Sequence, residues 1–194
     1  MASYRYYYFI PQLAHLSYGQ LPPEPAEAFR ARAMALIDRA DAALLAGLAL
    51  GLEPEAKPSG CDLIDGWREW ETALRLNLAR LRTKALGRSE ELPSAPNSPA
   101  SAVQAAARAM EAESPLEAER IADRARWDAV QALQGGELFH RRTVFAHLMK
   151  LLILERQASF QAEAGFSQYK SLYDSILERA PGGAGPGENL NDRN

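Results

Sequence analysis

The sequence has little of what β-sheets and cross-linked folds require. Its 194 residues include only three valines, six isoleucines and three threonines, against 35 alanines and 26 leucines. Strands favour β-branched side chains, whereas alanine and leucine favour helices, so the composition argues against a β-sandwich, a barrel or a large parallel sheet. One cysteine, Cys61, excludes an internal disulfide and a zinc site built from several cysteines.

A strong charge of one sign and a long apolar run are missing as well. The net charge of −3 at pH 7 gives no general attraction to nucleic acid or to anionic lipid. The most apolar run, residues 144–154, is interrupted by His147 and Lys150 and falls short of the roughly 20 residues that span a bilayer. The first residues lack the charged start and apolar core of a signal peptide. We therefore expect a soluble, cytoplasmic protein.

The residues that are present predict an all-α fold, a bundle of about six to seven helices. Apolar side chains recur at three- and four-residue steps in the expected helices. These helices cover residues 25–37, 38–52, 62–86, 100–112, 115–133, 137–163 and 169–176. The first two are equally compatible with one continuous helix, and residues 4–16 are compatible with an extended segment or a short helix.

The segments between and after these helices predict the domain organisation. The stretch 88–100 is rich in proline and serine, which favours a flexible joint within one helical domain over residues 1–180. The glycines and prolines of 181–194 predict a disordered tail. Residues 144–154 are apolar nearly all round and should form the central helix of the domain, with the helix that carries Trp67 and Trp70 as its expected partner.

Single residues mark where helices should begin and end. Ser114 followed by Pro115 is typical of a helix start, because the hydroxyl caps a free amide and proline lacks one. Gly87 and Gly135 stand where the third and fifth helices should stop, since glycine readily adopts the left-handed conformation of a helix end. Gly165 is expected to break the last long helix.

The sequence contains few candidate catalytic or metal-binding patterns. Glu137 and His140 form one Glu-x-x-His element, whereas di-iron bundles need two such elements and two further glutamates. His140 and His147 lie two helical turns apart on similar faces, without a third ligand. The sequence has no phosphate-binding loop and no nucleophile elbow, and no pattern names a base for Cys61.

We therefore expect no catalytic, cofactor-binding or metal-binding residues and no enzyme activity. The alternative interpretation is a helical small-ligand- or metal-binding protein, or an enzyme, with a site near His140 and His147. Converging polar groups in a cavity there would support it, and a fully apolar helix interface would remove it.

Two surface features are candidates for contact with partners. Basic residues outnumber acidic ones over 68–88, which is compatible with a solvated face, a docking face for an acidic protein or nucleic-acid binding. Glu71 and Arg75 are expected on the outer side of this helix, one turn apart. Five aromatic side chains crowd residues 4–9, which favours the core over an interface, but they cannot all point inward on one helix or strand. One or two exposed there would indicate an interaction surface.

Three stretches of the chain carry helix-packing patterns. They are Tyr6-Tyr7-Tyr8-Phe9-Ile10 with the following Pro11, Leu13, Gly19 and Pro22-Pro23; Trp67-Arg68-Glu69-Trp70-Glu71 with Leu74-Arg75 and Leu81-Arg82; and the run from Phe145 to Arg156. Together they resemble a bacterial family of unknown function that is encoded beside V-type ATPase subunits in spirochaetes, chlamydiae and Bacteroidetes.

The resemblance implies a relation to the V-type ATPase C subunit, called d in eukaryotes. That subunit is all-helical and funnel-shaped, and it seats the central rotor stalk on the membrane ring. C subunits are considerably longer, so the chain is expected to be a shortened C-like subunit, or an accessory or assembly protein, of a V-type ATP synthase/ATPase. It would take part in proton transport without catalysing a reaction.

The same resemblance implies the partners and the location. Central-stalk or membrane-ring subunits would bind the chain, and no nucleic acid would. The protein would be cytoplasmic and would meet the inner face of the plasma membrane only through the ATPase complex.

Overall fold

The computed structural model describes residues 5–51, 57–88 and 98–179, with side chains described as far as residue 160. Over these residues the fold is all-helical, which confirms the predicted class. The six α-helices are α1 (Ala26–Met34), α2 (Arg39–Ala46), α3 (Asp62–Ala85), α4 (Ala100–Met110), α5 (Pro115–Gln134) and α6 (Arg141–Arg179). None of the described helices is both long and apolar enough to cross a membrane.

The start and end signals of α3 and α5 act as predicted. After α3, Gly87 has φ +64°, its amide donates to the Lys84 carbonyl at 3.1 Å, and the Arg88 amide donates to the Thr83 carbonyl at 3.0 Å. These two bonds form a Schellman motif, which satisfies carbonyls at the helix end. At the start of α5, the Ser114 hydroxyl accepts from the Glu117 amide at 3.2 Å. Both boundaries are therefore set by local chemistry.

The region 25–52 forms two helices, and the second ends at Ala46 rather than at residue 52. The guanidinium of Arg30 explains this early end. Its Nη1 atom donates to the Leu45 carbonyl, to the Ala46 carbonyl at 3.1 Å and to the Leu48 carbonyl at 3.0 Å. These carbonyls thus have a partner from α1, and α2 stops where that partner reaches it.

The last helix differs from the prediction at its start and at Gly165. It begins at Arg141 rather than at residue 137, because the Phe139 carbonyl accepts from the Tyr6 amide at 2.8 Å instead of entering a helix. It then continues through Gly165, so the expected break is wrong. A glycine inside a helix costs only about 1 kcal/mol relative to alanine, and no proline follows until residue 181.

The segment before α1 combines the two possibilities that the sequence left open. Arg5 forms an isolated antiparallel bridge with His140, and Ile10–Gln12 forms a short 3-10 helix. Tyr4 lies outside the described residues. The segment is therefore extended at its start and helical for three residues near its middle.

Residues 144–154 are enclosed, as predicted. Eight of their side chains are at most 1% exposed: Val144, Phe145, Ala146, Leu148, Met149, Leu151, Ile153 and Leu154. Trp67 and Trp70 belong to the same cluster of buried residues. Among the described helices, α3 packs directly against α4 and α5, α4 packs against α5, and α1 packs against α2.

Two polar side chains of α6 also face the interior. The Lys150 ammonium donates to the Oε1 atoms of Gln131 and Gln134, and burial lowers the pKa of this amine. A carboxylate oxygen of Glu155 accepts from the Ala26 amide at 2.7 Å. Since Pro25 provides no side-chain cap for α1, this carboxylate from a distant helix supplies one.

The chain divides into two compact units, Met1–Ala158 and Ser159–Asn194. The first contains α1 to α5 and the start of α6, and the second contains the helical backbone of 159–179. Most of the expected joint at 88–100 and the whole expected tail at 181–194 lie outside the described residues. Both therefore stay predictions, as does the single domain over 1–180.

Candidate functional site

An exposed cluster of large apolar side chains lies where the start of the chain meets the loop between α5 and α6. The aromatic patch, as we call it, consists of Tyr7, Tyr8, Leu138 and Phe139, which are 51%, 93%, 65% and 38% exposed. The rings of Tyr7 and Phe139 lie 5.1 Å apart between centroids. Adjacent exposed aromatic side chains are typical of protein-binding surfaces. The exposure of Tyr7 and Tyr8 confirms that the first aromatics do not all point inward.

The Tyr6 side chain points away from the patch, and its hydrogen bonds hold the neighbouring backbone in place. Its hydroxyl donates to the carboxylate of Asp41 and accepts from the Asp38 amide at 3.3 Å. Asp41 is fully buried and also accepts from Arg141 at 3.2 Å. Burial, together with the bond to Asp41, raises the pKa of Tyr6. A buried charged network therefore fixes the backbone that presents Tyr7 and its neighbours.

A second surface feature is an elongated groove between α4 and α5, of about 520 Å³. Its floor is made of small or aliphatic side chains, while polar and charged residues form its rim. We call it the α4–α5 groove. Its lining residues are Tyr18, Ser101, Gln104, Ala105, Arg108, Glu117, Arg120, Ile121, Arg124, Ala125, Asp128, Ala129 and Ala132.

The rim of the α4–α5 groove is unevenly charged. Arg124 forms an ion pair with Asp128 at 3.2 Å and lies 5.0 Å from the centre of the Tyr18 ring. The Tyr18 hydroxyl donates to the Arg120 carbonyl at 3.0 Å, which fixes the tyrosine beside the groove. Within the described part of the chain, the guanidinium groups of Arg108 and Arg120 have no carboxylate partner. Two positive charges are therefore available to a binding partner.

A third polar feature lies inside the fold and joins α3 to α5. Glu71 is fully buried, which corrects its expected place on the outer side, whereas Arg75 is half-exposed. Arg126 donates to Glu71 through Nε at 3.0 Å and Nη2 at 3.1 Å, and to Asp123 through Nη1 at 2.8 Å. Arg75 donates to the same glutamate at 2.8 Å.

α6 completes this buried network. Arg156 forms ion pairs with Asp123 at 3.3 Å and with Glu119, and burial raises the pKa of Asp123 against the opposing effect of Arg126. The network thus holds three carboxylates (Glu71, Glu119, Asp123) and three guanidinium groups (Arg75, Arg126, Arg156). Because the charges balance and lie between helices, the arrangement supports a structural role.

The structure places His140 and His147 in different surroundings. His140 lines a hollow of about 200 Å³ together with Arg5, Glu137 and parts of the aromatic patch. Burial and the nearby Arg142 lower the pKa of His140. His147 packs against the Phe29 ring, with 4.7 Å between centroids, and does not line that hollow.

His147 is 7% exposed, and its Nε2 atom is buried without a hydrogen-bond partner. Burial, with smaller effects from Lys150 and Arg32, lowers its pKa to about 4, so the ring is neutral at pH 7. No group of three or more histidine, cysteine, aspartate or glutamate side chains that could hold a metal ion occurs among the described residues.

The remaining candidates have structural surroundings. Cys61 is buried at the start of α3. In the basic stretch of α3, Arg68 donates to the Lys57 carbonyl at 2.9 Å and Arg75 binds Glu71.

Comparison with protein-family models, with curated proteins and with solved structures gives no match to this chain.

Proposed function

We propose that this chain is a non-enzymatic protein-binding scaffold, a subunit or an accessory or assembly protein of a V-type ATP synthase/ATPase. It resembles a shortened C (d) subunit and would contact the central stalk, the membrane ring or both. The single observation that carries the binding role is the aromatic patch. The choice of the ATPase as partner rests on the resemblance of the three sequence stretches.

The way the patch is held supports this role. Binding by exposed aromatic side chains is strongest when they are rigid in the free protein, since little freedom is then lost on association. Here the Tyr6 hydroxyl, the buried Asp41 carboxylate and the Phe139 carbonyl fix the backbone on both sides of the patch. An adaptor that transmits force needs this kind of stiff contact surface on well-packed helices.

Co-expression with central-stalk and membrane-ring subunits, followed by affinity capture, tests the proposal. We expect the chain to retain at least one of these subunits. Combining Tyr8→Ser with Leu138→Ser should weaken capture by about tenfold or more, because each buried interface side chain of this size contributes roughly 1–2 kcal/mol. Leu86→Ser is the matched control, since Leu86 is 66% exposed and lies at the end of α3, outside the patch.

Two results would contradict the proposal. Failure to retain any stalk or ring subunit removes the ATPase as partner. If the control variant lost as much capture as the patch variant, the aromatic patch would not be the contact surface.

A second candidate, a small-ligand or metal site near His140 and His147, is supported by the hollow beside His140 alone. At about 200 Å³ this hollow is smaller than the roughly 300 Å³ where typical ligand pockets begin. Titration with Zn²⁺ tests this candidate, with the nuclear magnetic resonance signals of the His140 and His147 rings as the readout. If neither signal shifts, the metal-binding form of this candidate is excluded.

A further inference from the structure

We propose that the α4–α5 groove binds an acidic amphipathic α-helix of a partner protein. This site is separate from the aromatic patch, and the inference does not depend on the ATPase as partner. It rests on the length of the groove, its floor of small side chains and the unpaired positive charges on its rim.

The shape of the groove suits a helix. Its lining runs along α5 from Glu117 to Ala132, which at 1.5 Å per residue is about 22 Å, or four helical turns. The floor is formed by Ala105, Ala125 and Ala129 with the aliphatic Ile121. Small floor residues allow a third helix to lie close to both walls, with its larger apolar side chains filling the groove.

The charge of the rim selects an acidic helix. Arg108 and Arg120 are exposed, and neither has a carboxylate partner within the described part of the chain. The rim carries three arginines and two carboxylates, so its net charge is +1; Asp128 pairs with Arg124, and Glu117 accepts from the Glu113 amide at 3.2 Å. The whole chain carries a net charge of −3, so a positive rim runs against its overall charge. Complementary acidic residues beside the apolar face of a partner helix would therefore favour this groove over the rest of the surface.

Other binding modes fit the groove less well. A partner strand needs the free edge of a sheet, whereas both described walls are helices with internally paired backbones. A small molecule is usually enclosed over most of its surface, whereas exposed side chains such as Gln104 and Ala132 leave this groove open along its length.

Three synthetic peptides of about 15 residues provide the probes. The first has leucines at three- and four-residue steps, flanked on both sides by glutamates. The second has lysines in place of the glutamates, and the third has the composition of the first with the leucine spacing scrambled. Binding to the full chain is measured by fluorescence anisotropy, and amide chemical shifts locate it.

We expect the glutamate peptide to bind and to shift the amides of α4 and α5. The lysine and scrambled peptides should each bind about tenfold or more weakly, because they lose the charge match and the apolar match respectively. Combining Arg108→Glu with Arg120→Glu should reverse the preference between the glutamate and lysine peptides. Arg39→Glu, an exposed charge reversal on α2, should leave it unchanged.

Ala132→Trp provides a second, uncharged test. Ala132 is exposed, so the larger ring should fill the groove without disturbing the core, and peptide binding should fall while the thermal midpoint stays constant. Equal binding of the glutamate and lysine peptides, or shifts confined to other helices, would overturn the proposal. So would saturable binding of laurate without peptide binding, which would indicate a small amphiphile. A dimer detected by light scattering, with amide shifts that place its interface on α4 and α5, would indicate that a second copy of the chain fills the groove. That result would overturn the proposal as well.

Discussion

The strongest prediction concerns the two arginines that share the buried Glu71. Arg126 and Arg75 both donate to this carboxylate, but only 10% of the Arg126 side chain is exposed against 50% for Arg75. Replacing either by methionine removes one guanidinium and leaves a chain of similar length. The two variants therefore compare a buried ion pair with a half-exposed one on the same acceptor.

The expected losses differ in size. Arg126→Met leaves Glu71 fully buried with Arg75 alone, and it also takes the 2.8 Å partner from Asp123. Breaking a buried pair costs about 3–5 kcal/mol of unfolding free energy, and we expect a loss toward the lower end of this range because Arg75 and Arg156 still pair with the two buried carboxylates. Arg75→Met removes a pair of the exposed kind, which contributes about 1 kcal/mol or less.

A double-mutant cycle separates these effects from packing. Glu71→Met alone leaves the buried Arg126 with Asp123 as its remaining close carboxylate, whereas Glu71→Met with Arg126→Met removes both charges of this pair and leaves Asp123 paired with Arg156. The double variant should therefore lose less stability than the two single losses added together. Denaturation by urea, followed by circular dichroism, gives the midpoint and slope for each variant.

Either of two results would contradict this account of the Glu71 ion pairs. Equal losses for Arg126→Met and Arg75→Met would mean that burial does not set the strength of these pairs. Additive losses in the cycle would mean that Glu71 and Arg126 do not interact energetically in the folded protein.

Three further predictions concern single residues. The pKa of His147 is about 4 in the folded protein, below its unfolded value of about 6.5, so the folded state binds fewer protons between these values. Stability should be complete above about pH 6.5 and fall by up to about 3 kcal/mol as the pH drops to 4. Urea midpoints measured across this range should show the fall, and His147→Met should remove most of it. Ser114→Ala should cost about 1 kcal/mol in the same assay by removing the cap of α5, and retention of full stability would exclude that cap. Gly87→Ala should cost about 1–2 kcal/mol at φ +64°, although an added Cβ would meet no atom within 4 Å, so the loss would be one of backbone conformation.

Local chemistry made the end of α3 and the start of α5 predictable. The hydrogen bonds at these two boundaries join residues at most five positions apart, so their effect is visible in a short window of sequence. At the end of α2 a glycine is present as well, since Gly47 follows Ala46, but its φ of −88° is not left-handed. The contact with Arg30, which reaches this end from α1, leaves no signal in the nearby sequence.

Burial of charge was the main error in predicting α3. Glu71 has an arginine one turn later, a pattern typical of an exposed helix face. Its burial depends on Arg126, 55 residues further along the chain, which supplies two hydrogen bonds. A pairing over that distance leaves no periodic signal in the sequence.

The candidate surfaces were predictable to different degrees. The crowding of aromatics at residues 4–9 predicted that some would be exposed, but the choice of Tyr6 as the inward one depends on Asp41, 35 residues away. The α4–α5 groove was not predicted. The alanines of α4 and α5 indicated helix formation, and only the packing of the two helices shows that these small side chains leave a groove.

The contacts of Tyr6 have a consequence for how the chain matures during synthesis. Its amide donates to the Phe139 carbonyl, and its hydroxyl binds Asp41, which also accepts from Arg141. Phe139 and Arg141 both lie more than 130 residues after Tyr6 in the chain. Asp41 and the Phe29 ring that packs against Phe9 follow within about 35 residues, whereas Phe139 and Arg141 emerge from the ribosome much later. The contacts that join the start of the chain to the loop before α6 can therefore form only after α1 to α5 have been synthesised.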